Sequence, residues 1–476
     1  MPPFRIRRPA LLHAGVAPKP PLRGALVVGA DSTSALASRL EEIARDTATV
    51  AGDPQAPRAA DLLAPVRVAI DHAGPLELAD RLARARKALL NDNPAAWRLL
   101  RAHGIHRGCG PAPKVAFLYT GQGSQYVNMG RSLRAAEPIV RETFEEADRA
   151  MTPLLGRPLS DCVFVDPADE AAVAAAEESL TQTAITQPAV LALDGAITRL
   201  LAAYGVEPDI VIGHSLGEYA ALVAAGALPF ADALEAVSAR GREMSRVSVG
   251  DHGRMAAVFA PLPEIERILA TIDGYVVVAN YNSRSQAVVG GASAAVEAAV
   301  QAFVAAGFTA VPLPVSHAFH TRIVAPASQP LRRVLERLLV RPPRLPVVSN
   351  VTGGFYPMEE DARPRILDLL ERQIASPVRF VTGLRTLHAA GVRVFVEVGP
   401  KRALHGFVED VFAGDPSVTA LFANHPKLPD AVAFNQCLCG LYAAGLGAAV
   451  DAPRPEAASV QQPAAAASRP FVAVTA

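Results

Sequence analysis

The chain is poor in sulfur and in aromatic side chains: its 476 residues include four cysteines, one tryptophan and only 5% aromatics. Cys109 and Cys162 stand alone, while Cys437 and Cys439 form a Cys-x-Cys pair in a segment that reads as helix. Residues i and i+2 of a helix point to different faces, so the pair predicts small packing residues, and neither a disulfide framework nor a zinc site is expected. An excess of charge of one sign is missing too. Lysine plus arginine equals aspartate plus glutamate at 46 each. No net field then favours nucleic acid or an anionic membrane, and an anionic ligand has to be held locally. No uninterrupted apolar run could cross a bilayer, and no segment of signal-peptide quality follows Met1-Pro2-Pro3-Phe4-Arg5. The expectation is a cytoplasmic protein with no nucleic-acid or membrane partner.

Apolar residues are plentiful, 50% of the chain against 19% charged, and the length predicts roughly two to four structural units. Residues 1–112 read as a small α/β linker, with strands at Gly24–Gly29 and Val66–Ile70, helices at Ser34–Arg45 and Leu76–Leu90, and the turn-rich Gly108–Pro113 as its boundary. Beyond Val115 strands and helices alternate, the pattern of a mostly parallel sheet with helices on both faces. Residues 255–314 interrupt it in the order βαββαβ, a ferredoxin-like subdomain. The larger unit, 113–254 and 315–450, resumes with a helix at Ile323–Leu339, a strand at Leu345–Ser349, a helix at Pro364–Ile374, a strand at Val394–Val398 and further helices to Leu446. Residues 451–476 lack periodicity and read as a disordered linker attached to, or cut from, something larger. The expected class is α/β: a large α/β-hydrolase-like parallel-sheet domain with an inserted ferredoxin-like subdomain, preceded by a small α/β linker domain.

The chemistry concentrates at Gly213-His214-Ser215-Leu216-Gly217, which follows the apolar run Pro208–Ile212 and precedes the helical Glu218–Ala225. A Gly-x-Ser-x-Gly turn between strand and helix exposes a serine hydroxyl beside the positive end of the helix, which makes Ser215 the candidate nucleophile of an acyl-transfer enzyme. The loop Thr120-Gly121-Gln122-Gly123-Ser124-Gln125 follows a strand and offers backbone N–H groups to an oxyanion. A serine needs a base, and His320 lies where the βαββαβ segment returns to the larger unit; His317 competes for the role. The second helix after the turn carries Arg240, Arg242 and Arg246. Position alone favours a surface arginine over a ligand-binding one for each of them.

The Gly121–Gln125 loop, the Gly213–Gly217 turn, Arg240-Gly241, Tyr281-Asn282-Ser283, Ser316–His320, Ser349-Asn350-Val351-Thr352, Pro377-Val378-Arg379-Phe380 and Glu397-Val398-Gly399-Pro400 occur in that order. Together they resemble the malonyl-CoA:acyl carrier protein transacylases and the acyltransferase domains of polyketide and fatty acid synthases, from Val115 to about Leu446. The resemblance implies a Ser–His dyad, with Ser215 as nucleophile and His320 as general base then acid. It implies an oxyanion site at the backbone N–H groups of Gln122 and Leu216, and Arg240 as the grip on the free carboxylate of malonyl. By the same resemblance a backbone carbonyl near Val378-Arg379 holds the second nitrogen of His320, with Arg379-Phe380 standing where stand-alone bacterial enzymes carry Gln-Trp. His317-Ala318-Phe319-His320 resembles malonyl-selective domains, in which Phe319 fills the space that an α-methyl group would need. Asn282 and His214 stay outside the catalytic set. The implied activity transfers malonyl from malonyl-CoA to the phosphopantetheine of an acyl carrier protein, with no metal or tightly bound cofactor. The chain then resembles a linker–acyltransferase segment of an iterative type I polyketide synthase, whose other domains would be partners. A thioesterase or acyl hydrolase with the same turn is the alternative, and it calls for an acid to complete a triad.

Overall fold

The structure is a computed structural model that describes residues 19–91 and 94–447, so the expected linker at 451–476 and the Met1–Arg5 start lie outside the described residues. No helix among the described residues is long and apolar enough to cross a membrane.

Strands β1 (Gly24–Ala30), β2 (Val66–His72) and β3 (Ile105–Cys109) form an antiparallel sheet in the order β1-β2-β3. The Pro75–Asn91 helix buries Leu78, Leu82, Ala85 and Leu89, spaced three and four residues apart, in one cluster with Val68 and Ile70 of the sheet. Gly108 and Cys109 are strand residues, which corrects the turn expected over Gly108–Pro113 in its first two positions. The glycine serves a close approach: a Cβ there would fall 1.7 Å from the carbonyl oxygen of Ala443, on the Asp430–Ala443 helix. Arg67 Nε donates to that same oxygen at 2.8 Å, and Asn435 Nδ2 donates to Asp71 at 2.7 Å. The last helix thus closes over the first sheet, with Cys437 and Cys439 both buried and free.

The chain continues with β4 (Lys114–Tyr119) and β5 (Ile210–Gly213). Then come β6 (Arg254–Phe259), β7 (Val276–Tyr281), β8 (Ala287–Gly291) and β9 (Thr309–Pro312). Last are β10 (Val347–Val348), β11 (Val392–Val398) and β12 (Thr419–Phe422). A five-stranded parallel sheet has the order β10-β5-β4-β11-β12. Strand β5 and β4 beyond Lys114 are apolar and buried because they are covered on both faces. The chain steps from β4 to one side through β5 and later to the other through β11, and a ligand crevice is expected outside the carboxyl ends of strands at such a reversal. Both the Gly121–Gln125 loop and the Ser215 turn leave from that end.

Three details differ from expectation. The Ile323–Leu339 helix is a 3₁₀ turn, Arg322–Ala327, followed by a helix over Ser328–Arg337; Pro326 removes an N–H that a continuous helix would use. The strand expected at Leu345–Ser349 pairs only over Val347–Val348. The region expected as helices to Leu446 also contains β12, whose four residues are too few to show a period.

Strands β6 to β9 pair antiparallel in the order β7-β8-β6-β9, and share a core of Val258, Ile265, Val289 and Phe303 with the Leu262–Leu269 and Ser293–Ala305 helices. This order is the one two interlocked split βαβ units produce. The small sheet is tied to the larger unit through Val378, whose carbonyl accepts from Tyr281 N–H at 2.8 Å and whose N–H donates to Ala279 at 2.9 Å.

Candidate active site

The turn after β5 holds Ser215 at φ 53°, in the left-handed region, a conformation that costs a non-glycine residue roughly 1–2 kcal/mol. Its two glycines make that turn sterically possible. A Cβ on Gly213 would lie 1.9 Å from the carbonyl carbon of Gly217, and one on Gly217 would lie 2.2 Å from the carbonyl oxygen of Tyr119. Asn350 holds the turn from the side: its Oδ1 accepts from Ser215 N–H at 2.6 Å, and its Nδ2 donates to the Gly213 carbonyl at 2.7 Å. The strain is thereby fixed by the surrounding structure, and Ser215 stays partly exposed.

His320 Nε2 stands 2.6 Å from Ser215 Oγ. His320 also has a positive φ, 60°, and its ring is buried. Its Nδ1 lies 3.2 Å from two backbone oxygens, those of Gln373 and Ser376. The carbonyl expected near Val378-Arg379 is corrected to these two, for a topological reason. The Val378 oxygen is occupied by Tyr281 N–H and the Arg379 oxygen by Gly383 N–H, so the acceptors come from the end of the preceding helix and the bend after it. Nδ1 carries the proton toward those carbonyls, which leaves Nε2 as an acceptor for the serine proton. Burial, followed by the nearby positive charge of Arg240 and the ring of His214, pushes the pKa of His320 down to about 3. The imidazole is therefore neutral at physiological pH. His317 is elsewhere: its Nε2 meets the Val247 carbonyl at 3.1 Å and its ring stacks on His252 at 4.5 Å.

Arg240, on the Phe230–Ser245 helix, is 1% exposed. Its Nη2 lies 3.3 Å from Ser215 Oγ and 3.2 Å from Gln373 Oε1, and its Nη1 lies 3.1 Å from Gln187 Oε1. Its Nε has no partner among the described residues. A buried guanidinium whose acceptors are all neutral is costly to keep and holds unspent capacity for an anion. Arg242 instead turns to Ser238, and Arg246 pairs with Glu243 at the surface.

Leu216 follows the serine and Gln122 lies on the facing loop, and neither backbone N–H has an acceptor among the described residues. Close approach of the two loops is enforced at Gly121, where a Cβ would fall 2.5 Å from the His214 carbonyl oxygen. The Gln122 side chain lies 3.5 Å from Gln187, one step from Arg240. Phe319 is buried beside His317, their ring centroids 6.2 Å apart. His214 Nε2 meets Asn282 Oδ1 at 2.7 Å, which joins the turn to the segment after β7.

Several residues of this constellation escaped the sequence reading. Gln373 donates to the Ser215 carbonyl at 2.6 Å and to Glu218 Oε2 at 2.9 Å, while its own oxygens serve Arg240 and His320. Glu218, fully buried in the first turn of the Gly217–Ala224 helix, also accepts from Tyr356 at 2.6 Å and from Asn350 N–H at 3.1 Å. The signal for Gln187 and Glu218 was present as polar residues inside apolar helices, and for Asn350 as a motif with no chemistry attached.

The model of the acyl transferase domain matches residues 116–438. The chain is 37% identical over 340 residues to the spectinabilin polyketide synthase system protein NorB of Streptomyces orinoci, covering 71% of this chain and 15% of that protein. It is 36% identical over 303 residues to the malonyl CoA-acyl carrier protein transacylase of Bacillus subtilis, covering 63% of this chain and 90% of that one. Among solved structures, the acyl transferase domain of SpnD in complex with 2-(pent-4-yn-1-yl)malonyl superposes with a TM-score of 0.71 at 27% identity, over 90% of this chain and 97% of that one. A malonyl-transacylase in complex with the type II acyl-carrier protein AntF gives a TM-score of 0.59 at 33% identity, over 68% and 99%. With most of its length matched by the family model and with a strained serine, a neutral histidine and a buried arginine meeting at the carboxyl end of its parallel sheet, the chain belongs to the acyl transferase domain family.

Proposed function

We propose that the chain transfers malonyl from malonyl-CoA to an acyl carrier protein through a malonyl ester on Ser215. Ser215 Oγ attacks the thioester carbonyl carbon and gives its proton to His320 Nε2. The C–S bond then breaks, and the coenzyme A sulfur takes that proton. In the second half a phosphopantetheine thiol gives its proton to His320 and attacks the ester, and Ser215 Oγ recovers the proton as it leaves. The N–H groups of Gln122 and Leu216 receive the oxyanion in both halves. Nothing in these steps calls for a metal or a tightly bound cofactor.

The observation that carries this reading is Arg240, a buried cation whose hydrogen-bond acceptors are all neutral, 3.3 Å from the nucleophile hydroxyl. A guanidinium fork matches a carboxylate bidentately, so it favours acyl groups that end in one. The hydrolase alternative is less favoured, because carbonyls rather than a carboxylate face His320 Nδ1. The synthase relatives and the carrier-protein complex of a transacylase support an acyl carrier protein as acceptor and the other domains of a synthase as neighbours. In this reading residues 1–112 are the linker unit, 255–314 the small subdomain, and 113–254 with 315–450 the catalytic unit. Intact-protein mass spectrometry after brief incubation with malonyl-CoA tests it. A malonyl adduct should form, vanish on addition of carrier protein with its thiol, and never form on Ser215→Ala; an adduct on that variant overturns the assignment.

A further inference from the structure

A cavity of about 460 Å³ opens at the C-terminal end of the Gly217–Ala224 helix, the end away from Ser215. Its walls include Leu191, Ala220, Val223, Leu228 and Phe230, and three arginines line it, Arg199, Arg341 and Arg344. Arg199 is already engaged, 2.7 Å from Glu146 and 4.9 Å over the Phe230 ring. Arg341 and Arg344 have no carboxylate partner among the described residues. Both are held in place by the backbone: Arg341 N–H donates to the Ala227 carbonyl and Arg344 N–H to the Ala225 carbonyl, each at 2.8 Å. The Arg344 side chain lies flat against Gly226, where a Cβ would fall 2.4 Å from its Nε. Gly226 has φ +69°, so backbone conformation and contact both keep a side chain out of the place the guanidinium occupies.

Apolar walls under two unneutralised guanidinium groups suit a ligand with one anionic head and an aliphatic chain, of a size common for small-molecule sites. A neutral ligand would leave the arginines unused, and a compact polyanion would leave the walls unfilled. We propose that this cavity binds a medium-chain aliphatic carboxylate, head toward Arg341 and Arg344 and chain along Leu191, Val223 and Phe230. No residue lining it is among Ser215, His320, Arg240, Gln187 or Gln373, so the site is separate from the residues around the nucleophile.

Isothermal titration of the full chain with decanoate and with 1-decanol tests the proposal. Decanoate should bind saturably and more tightly than 1-decanol. The doubly substituted Arg341→Ala, Arg344→Ala protein, altered at exposed positions, should bind decanoate about tenfold more weakly and 1-decanol unchanged. Val223→Trp, which fills the cavity, should lose both. If Val223→Trp fails to fold, the arginine variant still decides. Absence of saturable decanoate binding, equal affinity for the alcohol, or unchanged binding in the arginine variant each overturns the proposal. No arm reads acyl transfer, so failure here and failure of the malonyl reading remain distinguishable.

Discussion

Arg240 Nη2 lies 3.2 Å from Gln373 Oε1, while the amide nitrogen of the same glutamine reaches the Ser215 carbonyl at 2.6 Å. One neutral side chain thus couples the cation to the nucleophile turn without neutralising it. A carboxylate at the position of Gln373 would have satisfied the arginine more fully and left nothing for a substrate.

From this follows a selective defect in Arg240→Ala. Charged hydrogen bonds are worth about 1.5–3 kcal/mol each, so malonyl transfer should fall by roughly a hundredfold or more. Acetyl transfer, whose acyl group carries no free carboxylate, should fall far less. Parallel kcat/KM measurements with malonyl-CoA and acetyl-CoA decide it, and equal losses would show that Arg240 does not read the carboxylate.

Gln373→Leu should destabilise the fold rather than merely slow the enzyme. It leaves Glu218 Oε2 and Arg240 Nη2 buried with a partner removed, and each such loss costs about 1–3 kcal/mol. Urea unfolding should show a lowered midpoint with an unchanged slope. The Gln373 backbone carbonyl, the acceptor for His320, survives the substitution, so folded protein should retain measurable malonyl loading. A variant as stable as the parent would mean that the amide is dispensable.

Much of this was legible in the chain because local pattern and chemistry agreed. The Ser215 turn shows itself through glycines flanking a serine between an apolar strand and a helix, and the βαββαβ order of residues 255–314 through clean alternation. What stayed hidden depends on tertiary closure. The carbonyls that meet His320 could not be assigned without knowing that Tyr281 takes the Val378 oxygen. Gly108 read as a turn because a glycine needed for packing against Ala443 looks the same in sequence as one needed for bending. Gln373 sits at the end of a helix with no local sign that four groups converge on it.

Phe319→Ser should widen the acyl pocket. The ring is buried immediately before His320, and in the proposed reading it takes the space that an α-methyl group would need. One methyl is worth about 1–3 kcal/mol of discrimination, so competition between malonyl-CoA and methylmalonyl-CoA should shift toward the branched unit by about tenfold. Adduct ratios by mass spectrometry measure it directly, and an unchanged ratio would remove Phe319 from selectivity.

The acid limb of activity should trace to His320, and so should part of the acid loss of stability, which it shares with His106, whose burial also pushes its pKa down to about 3. The His320 pKa of about 3 in the folded chain lies below the value of about 6.5 in an unfolded one. Above pH 6.5 both states are neutral and the residue contributes no slope. As pH falls below that, the unfolded chain binds a proton that the folded chain refuses. Stability is therefore lost by up to about 1.4 kcal/mol per pH unit until the folded pKa is reached. His320→Gln removes this contribution, so its denaturation midpoint should fall less steeply than the parent's between pH 6.5 and 4. In the parent, kcat/KM for Ser215 acylation should run flat from pH 8 to about 5, because the base is already deprotonated throughout. An inflection near pH 6.5 would mean that the imidazole titrates as if exposed, and that burial does not hold His320 in its neutral, proton-accepting form.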